Sequence, residues 1–185
     1  GNFIYLILLL KVFLKYSLVF IFAIRSCACF SLFNNVDSIL TLLKKDKDDT
    51  TKCNHLNDLA WELMYNNPDT SIVLSNQALA ISEKNNWRNG SARSIVNLGT
   101  FCWLKSDYSG ALNFYMRGLK IYEGLHDKRC IGVSLGNIGL VYDDLADYPK
   151  ALDYYLQALK MAEEIGDRYS IARHLGNIGV VYEEQ

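Results

Sequence analysis

The sequence predicts an all-α solenoid, a stack of antiparallel helix pairs, and three observations support this prediction. The segment Leu135–Tyr142 returns forty residues later, almost unchanged, as Leu175–Tyr182. The apolar residues recur at spacings of three and four, which is typical of amphipathic helices. The chain has only two prolines among its 185 residues. A fixed period between 20 and 50 residues is typical of solenoid proteins.

The repeat can be followed towards the N-terminus with the same step of forty residues. Val96–Gly99 is a weaker copy of the segment, and Leu56–Leu59 keeps only its asparagine. The second half of the unit repeats as well, because Asp147–Leu152 aligns with Asp107–Leu112 without a gap. We therefore predict about three and a half units over residues 51–185, with the last unit cut short at the C-terminus.

Each unit is predicted to contain two helices, A and B, that face each other. In the third unit, helix A carries its apolar stripe on Leu135, Ile138 and Tyr142, and helix B carries the facing stripe on Ala151 and Tyr155. Residue types that tolerate a left-handed backbone end each helix B, and an aspartate that can cap a helix precedes the next one. The predicted C-caps are Asn86, His126 and Gly166, and the predicted N-caps are Asp107, Asp127, Asp147 and Asp167.

Three glycines recur inside helix A, at positions 99, 139 and 179. A glycine inside a helix costs about 1 kcal/mol relative to alanine. Its return suggests that another helix comes too close there for a β-carbon. We expect Ala111 and Ala151 in helix B to lie on the other side of this contact. The tyrosines expected to fill the wider part of the gap are Tyr142, Tyr155 and Tyr182.

These residues resemble the tetratricopeptide repeat, whose helix pair shows a large residue, Leu-Gly and Tyr, followed by Ala, an aromatic residue and Ala. The third unit fits through Ile138-Gly139, Tyr142 and Tyr155, whereas the first unit is degenerate, with Leu59 at the glycine position and Ser75 at the aromatic one. The forty-residue period is similar to that of the Leu-Gly-Asn subclass. The resemblance implies a right-handed superhelix that binds proteins or extended peptides along its concave side.

One polar series in the repeats suggests where a ligand would bind. Asparagine occupies the same position in all four units, at Asn57, Asn97, Asn137 and Asn177, although it is a mediocre helix former. In the resembling repeats this position faces the concave groove, where an amide can donate to and accept from a peptide backbone. The alternative is inheritance by duplication with a local hydrogen bond. The neighbours expected on the same surface are Arg93, Trp103, Asp143, Asp144 and Arg173, together with Leu140, Val180 and Glu183.

The composition argues against several other functions. A formal net charge of −1 gives no basic face for nucleic acid. Five cysteines without paired spacing and three scattered histidines predict neither a disulfide framework nor a metal site. The sequence contains no phosphate-binding glycine loop, nucleophile elbow, HExxH or CxxC motif. We therefore expect no cofactor and no enzymatic activity.

The N-terminal segment predicts export or membrane attachment. Residues 1–31 contain the apolar run Phe3–Ile24, which is interrupted by two lysines. We interpret this segment as a secretory signal peptide or, alternatively, as a retained membrane anchor, since about 20 apolar residues can span a bilayer. A lipoprotein cysteine at Cys27 is a third alternative. Each interpretation places the repeats outside the cytoplasm, on the periplasmic side, or at least at a membrane.

Residues 32–50 are predicted to contain a short amphipathic helix and a charged connector. Val36, Leu40 and Leu43 share one helical face, and a run of Lys and Asp follows. This leader, helix and connector resemble the start of exported sensor regions of bacterial membrane signalling proteins. The resemblance implies that the chain is the peptide-binding input region of a larger signal-transduction protein. A free-standing exported or membrane-tethered assembly scaffold is the alternative.

The chain lacks an initiating methionine and stops within the fourth unit, which suggests a fragment. Helix A of that unit would lack its helix B. We therefore expect the apolar face around Ile178, Val181 and Tyr182 to be uncovered, and the C-terminal end to fray or to self-associate.

Overall fold

The computed structural model describes residues 35–184 and divides the chain into two units at Lys44. In the first unit, residues 35–43 form helix α1. The predicted signal peptide or anchor lies outside the described residues. Among the residues that the structure describes, no helix is both long enough and apolar enough to cross a membrane.

The second compact unit, which begins at Lys45 and holds all the repeat units, contains seven helices and, in its described residues, no strand. Helices α2, α4, α6 and α8 are the A helices, and α3, α5 and α7 are the B helices. Each helix packs against its neighbours in the chain, and A helices of successive units also touch each other, α2 on α4 and α4 on α6. The predicted all-α solenoid of helix pairs is thus confirmed. The seven helices are α2 (Thr50–Leu63), α3 (Pro68–Lys84), α4 (Arg88–Leu104), α5 (Tyr108–Leu125), α6 (Lys128–Asp144), α7 (Tyr148–Ile165) and α8 (Arg168–Glu184).

The helix ends show the predicted caps. Asn86, His126 and Gly166 have positive φ angles of 53°, 55° and 69° at the ends of the B helices. Each of the four predicted aspartates accepts a hydrogen bond from a backbone N–H three residues later. The A helices also end in a left-handed residue, at Ser106 and Ala146, which the sequence does not indicate.

The core runs between the units because each B helix packs on the next A helix. Ile138 and Val141 of α6 lie in one buried cluster with Ala111 and Tyr115 of α5. Val181 of α8 lies in the corresponding cluster with Ala151 and Tyr155 of α7. The units are therefore held together by the same kind of contact, repeated along the stack.

The helix glycines mark the close contact within a pair, as predicted. A β-carbon at Gly99 would lie 2.7 Å from the ring of Tyr115 and 3.3 Å from the carbonyl oxygen of Ala111. At Gly139 it would lie 2.7 Å from the ring of Tyr155. The tyrosine ring itself, and not mainly the alanine, fills the space that the glycine leaves, which corrects the expectation that Tyr155 fills only the wider part of the gap.

In the first repeat unit the large and small side chains at this contact are exchanged between helices A and B. Leu59, which stands at the glycine position, is buried, and Ser71 and Ser75 stand where later units have alanine and tyrosine. The large side chain has thus moved from helix B to helix A. Exchanges that conserve total volume are the kind that cores tolerate best.

Helix α8 corrects part of the prediction that the apolar face around Ile178, Val181 and Tyr182 is uncovered. Val181 is buried against α7, and Ile178 packs on the same cluster. Leu175, Val180 and Tyr182 are exposed. The reason is that one face of helix A contacts the preceding B helix, so only the opposite face lacks a partner.

A pair of glycine variants tests the close contact. We expect Gly139→Ala to lower the free energy of unfolding by about 1–3 kcal/mol, because the added methyl group overlaps the buried Tyr155 ring. We expect Gly179→Ala to raise it by up to about 1 kcal/mol, since no atom lies within 4 Å of the added carbon and alanine favours the helix. Chemical denaturation measures both, and equal effects of the two changes would contradict the proposed contact.

Candidate functional site: a groove along the A helices

A cavity of about 360 Å³ lies along the A helices of the helix stack α2–α8, and we call it the groove. All four A helices contribute to it, together with α5. The lining combines aromatic, amide and guanidinium side chains, a mixture common in ligand sites. The lining residues are Trp61, Met64, Tyr65, Arg93, Val96, Asn97, Thr100, Trp103, Tyr115, Tyr122, Val133, Asn137, Leu140 and Arg173.

The lining residues form rows because the repeat places equivalent residues side by side. The asparagine row contains Asn97 and Asn137. The arginine row, four residues earlier in each A helix, contains Arg93, Val133 and Arg173. Residues four apart lie on the same face of a helix, about 6 Å apart along its axis.

Apolar side chains lie on the opposite side of the asparagine row, towards the C-terminal ends of the A helices, but they come from different repeat positions. They include Leu140, three residues after Asn137, and Trp103, six residues after Asn97. Trp61 of α2, four residues after Asn57, also lines the groove and is 47% exposed. The groove therefore has an amide floor, one flank with guanidinium groups and one flank with apolar rings.

The four asparagines of the repeat do not share one environment. Asn97 and Asn137 line the groove, whereas Asn57 and Asn177 do not. Asn137 is half-buried, and its amide makes no hydrogen bond within the described residues. The hypothesis of an asparagine ladder that contacts a ligand can thus hold for the central two units.

Asn57 belongs to the interior, which corrects its predicted place in the groove. It is fully buried, and its amide nitrogen donates to Ser94 Oγ at 2.9 Å. Its amide oxygen accepts from Asn97 Nδ2 at 3.1 Å. Helices α2 and α4 meet at this point, so the side chain bridges two A helices. Asn97 is buried to more than nine-tenths and reaches the groove only with part of its surface.

The two arginines of the arginine row differ in their partners. Arg93 makes an ion pair with Asp58 and donates a hydrogen bond to Asn54 Oδ1 at 3.2 Å. Both partners lie in the preceding unit. Within the described residues Arg173 has no carboxylate partner, and its one side-chain hydrogen-bond contact is with His174 Nε2, at 3.5 Å. Its guanidinium group is therefore available to an anion in the groove.

The predicted acidic neighbours lie beside the groove without lining it. Asp144 accepts a hydrogen bond from the indole Nε1 of Trp103, which fixes that ring on the apolar flank. Tyr155 donates its hydroxyl to Asp143 Oδ2 at 3.4 Å, while Oδ1 is buried and lacks a donor in the described chain. Burial, together with the charge of Glu184, raises the pKa of Asp143.

The sequence prediction missed several residues of the groove. Trp61 and Tyr65 come from the degenerate first unit, and Tyr115 and Tyr122 come from helix B of the second. Trp61 lies four residues after Asn57 and therefore on the same helical face. This spacing could have indicated from the sequence that Trp61 belongs to the predicted binding surface. Tyr115 is a buried residue of α5, and its hydroxyl donates to Thr100 Oγ1 at 3.1 Å, another residue of the groove lining.

His174 is an unusual buried base directly beside the groove. It stands where the second and third units have Ser94 and Ser134, and only 1% of its surface is exposed. Its ring occupies the space above Gly136, where a β-carbon would lie 2.6 Å from Cε1. Burial, helped by the charge of Arg173, lowers the pKa of His174 to about 4. Nδ1 has no hydrogen-bond partner in the described chain.

The described residues provide no arrangement for metal or thiol chemistry. None of their His, Cys, Asp and Glu side chains form a group of three that could hold a metal ion. Cys53, Cys102 and Cys130 are free thiols, and burial raises the pKa of each. Such thiols are poor nucleophiles at neutral pH.

The family follows from a comparison with models of known families. The model of the tetratricopeptide repeat matches residues 90–164 and 130–185, which together span more than half of the chain. The chain belongs to the tetratricopeptide repeat family. No curated protein matches the chain in sequence.

Solved structures of similar fold include two Rap proteins and BtubC. A Rap protein complexed with competence and sporulation factor matches at 19% identity and a TM-score of 0.72, over 85% of this chain and 46% of that one. The apo form of RapI matches at 21% identity and a TM-score of 0.70, over 84% and 44%. BtubC from P. vanneervenii matches at 18% identity and a TM-score of 0.66, over 80% and 63%. The chain spans less than two thirds of each of these structures, and the similarity shows the fold of this tetratricopeptide repeat protein.

The buried histidine predicts a pH-dependent stability. Its pKa of about 4 in the folded protein lies below its unfolded value of 6.5, so the unfolded state binds the proton more readily between these values. We expect the free energy of unfolding to fall by up to about 3 kcal/mol as the pH drops from 6.5 to 4, and to change little for this reason above pH 7. Chemical denaturation at several pH values measures how steeply the free energy of unfolding changes with pH.

The matched control is His174→Ser, which restores the residue of the second and third units. The charged groups around the ring, Arg173, Asp167, Lys128 and Arg129, remain in this variant. We expect the free energy of unfolding of this variant to fall much less between pH 6.5 and 4 than that of the wild-type protein. An unchanged slope in the variant would contradict the assignment to His174.

Proposed function

We propose that this tetratricopeptide repeat protein binds an extended peptide segment in the groove, as a protein-binding scaffold. The observation that carries the proposal is Asn137, whose amide lies half-buried in the groove without a hydrogen-bond partner in the described chain. A primary amide offers both donors and acceptors, which match the N–H and C=O groups of a peptide backbone. Asn97 lies in the same row one unit earlier.

The extent of the groove across four A helices and its lining support an extended peptide as the ligand. Packed helices lie about 8–10 Å apart, so contacts with four A helices extend over roughly 30 Å. An extended chain rises about 3.3 Å per residue, so the length of the groove corresponds to a peptide of about nine or ten residues. Exposed rings such as Trp61 and Tyr65 provide the large apolar contact area on which binding sites depend.

We further propose that the scaffold is the input region of a larger signal-transduction protein on the exported side of a membrane. Two similar structures support this proposal. One is the Rap protein complexed with competence and sporulation factor, and the other is the signal transduction ATPase PH0952 from Pyrococcus horikoshii, which has a tetratricopeptide repeat sensor. The apolar leader supports the location. A free-standing exported or membrane-tethered assembly scaffold is the second candidate.

A double asparagine variant tests the peptide-binding function. We expect the purified protein to select peptides from a random library of about ten residues, and Asn97→Ala with Asn137→Ala to bind the selected peptides about tenfold more weakly or worse. Each lost hydrogen bond contributes about 0.5–1.5 kcal/mol. Fluorescence anisotropy of labelled peptides measures the affinity.

The matched control is Asn177→Ala, which changes the same repeat position outside the groove. It should bind like the wild-type protein. Melting curves of all three proteins separate a lost contact from a lost fold, since Asn97 also hydrogen-bonds to Asn57. Equal affinities of the folded variants, or no selected peptide at all, would overturn the proposal.

A further inference from the structure

The amide of Asn97 is held from the interior by three buried side chains, Cys53, Asn57 and Ser94, which we call the relay. Asn97 Nδ2 donates a hydrogen bond to Asn57 Oδ1 at 3.1 Å. Asn57 Nδ2 in turn donates to Ser94 Oγ at 2.9 Å and to Cys53 Sγ at 3.7 Å. The three residues of the relay have no exposed surface, so their hydrogen bonds are shielded from solvent.

The two outer members of the relay fix the direction of its hydrogen bonds. Ser94 donates its hydroxyl proton to a backbone carbonyl oxygen of its own helix at 3.0 Å, and Cys53 donates its thiol proton to the carbonyl oxygen of Ala78 at 3.2 Å. Each group has only one proton, so each can only accept from Asn57. The opposite orientation of the Asn57 amide would require both groups to give up their carbonyl partners. Asn57 therefore turns its oxygen towards Asn97.

The relay directs the oxygen of Asn97 towards the groove. The nitrogen and the oxygen lie at the two ends of the planar amide, and Asn57 holds the nitrogen on the interior side. Asn97 lines the groove, and its Oδ1 accepts no hydrogen bond within the described residues. A ligand that covers this oxygen must supply a donor, because an acceptor that is buried without a partner loses its hydration and costs free energy.

Asn137 occupies the next position of the asparagine row and is not constrained in this way. Val133 stands at the repeat position of Cys53, and His174 stands at the position of Ser94. The amide of Asn137 makes no hydrogen bond within the described residues, so it can turn either end towards a ligand. The two asparagines of the groove thus differ in polarity, although the repeat places them at equivalent positions.

We propose that Asn57 is a positioning residue that acts through Asn97: the relay fixes Asn97 as a hydrogen-bond acceptor, so the groove requires a ligand with an N–H group opposite α4. This requirement rests on the proposed peptide-binding function. It defines the ligand class as a peptide segment with a free backbone N–H at that point, which excludes proline and N-methylated residues there. Asn137 sets no such requirement, since a free amide can donate or accept.

Hydrogen exchange of side-chain amides in the free protein tests the relay without any ligand. We expect the Nδ2 protons of Asn97 to exchange with water more slowly than those of Asn137, because one of them donates to a buried oxygen. The Cys53→Ala, Ser94→Ala double variant keeps both asparagines but removes the groups that orient Asn57. In this variant the exchange at Asn97 should become faster. Two-dimensional NMR measures these rates, and equal rates at Asn97 and Asn137 in the wild-type protein would overturn the relay.

Peptides with a single amide-to-ester replacement test the requirement for a donor. The ester replaces one backbone N–H by an oxygen and leaves every side chain unchanged. In a peptide selected by the wild-type protein, we expect one ester position to weaken binding about tenfold or more, because Asn97 Oδ1 then faces another oxygen. In the double variant the same ester should weaken binding less than about threefold, because Asn97 can turn its nitrogen to the ligand.

The matched control is Ser134→Ala, which removes the serine of the third repeat unit that is equivalent to Ser94. Ser134 donates to the carbonyl oxygen of Cys130 at 2.9 Å and bonds to no asparagine within the described residues. We expect this variant to keep the full effect of the ester. A purely structural role of the relay would weaken the amide and ester peptides equally, so the ratio of their affinities would stay as in the wild-type protein.

The outcomes separate this inference from the peptide-binding function itself. If no ester position matters in the wild-type protein, or if the ester effect is unchanged in a folded double variant, the donor requirement is wrong and the groove is still a peptide site. If the double variant does not fold, the exchange rates and the ester effect in the wild-type protein decide. If no peptide binds at all, both the donor requirement and the peptide-binding function are wrong.

Discussion

The contact between a helix A glycine and a helix B tyrosine is the constraint on which the rest of the structure depends. At Gly99 and Gly139 the tyrosine ring occupies the volume that a β-carbon would need, so the two helices of a pair approach closely. The buried rings of Tyr115 and Tyr155 then contact the A helix of the following unit. One residue thus joins both the helices within a pair and the successive pairs, which explains why the motif keeps its forty-residue step.

This packing leaves one face of each A helix without a B helix, and that face forms the groove. Because the repeat stacks A helices side by side, any residue that recurs every forty positions forms a row across them. The rows differ between units where the repeat is broken: Val133 interrupts the arginine row, and Arg173 lacks the acidic partner that Arg93 has in Asp58. The asparagine row therefore comes from the repeat itself, whereas the charge pattern of the groove comes from the deviations from the repeat.

The sequence predicts the architecture well because the architecture is periodic. The helix pairs, the left-handed residues at Asn86 and His126 and the aspartate caps all recur with the motif and could be read from it. Family membership over more than half of the chain agrees with that prediction. The left-handed Ser106 and Ala146 could not be predicted, because neither residue type favours that conformation and the contacts around the turn impose it.

The sequence predicts the site less completely, since one repeat position can have two environments. Asn57 and Asn137 occupy equivalent positions, yet Asn57 bridges α2 and α4 in the interior, whereas Asn137 remains accessible. The difference arises because Ser94 lies within reach of Asn57. The position equivalent to Ser94 that follows Asn137 is occupied by His174. Tyr122 and Trp61 were likewise missed, because contributions from helix B and from the degenerate first unit depend on how the units stack.

The most direct test of the account is an NMR titration of the wild-type protein that follows its side-chain amide resonances as a selected peptide is added. The central claim is that the peptide backbone lies on the asparagine row. It predicts that the amide of Asn137, and to a smaller extent that of Asn97, changes its resonance, while Asn177 and the exposed Gln157 of α7 keep theirs. Shifts confined to Gln157 or Asn177, with Asn137 unchanged at saturation, would place the ligand elsewhere and contradict the claim.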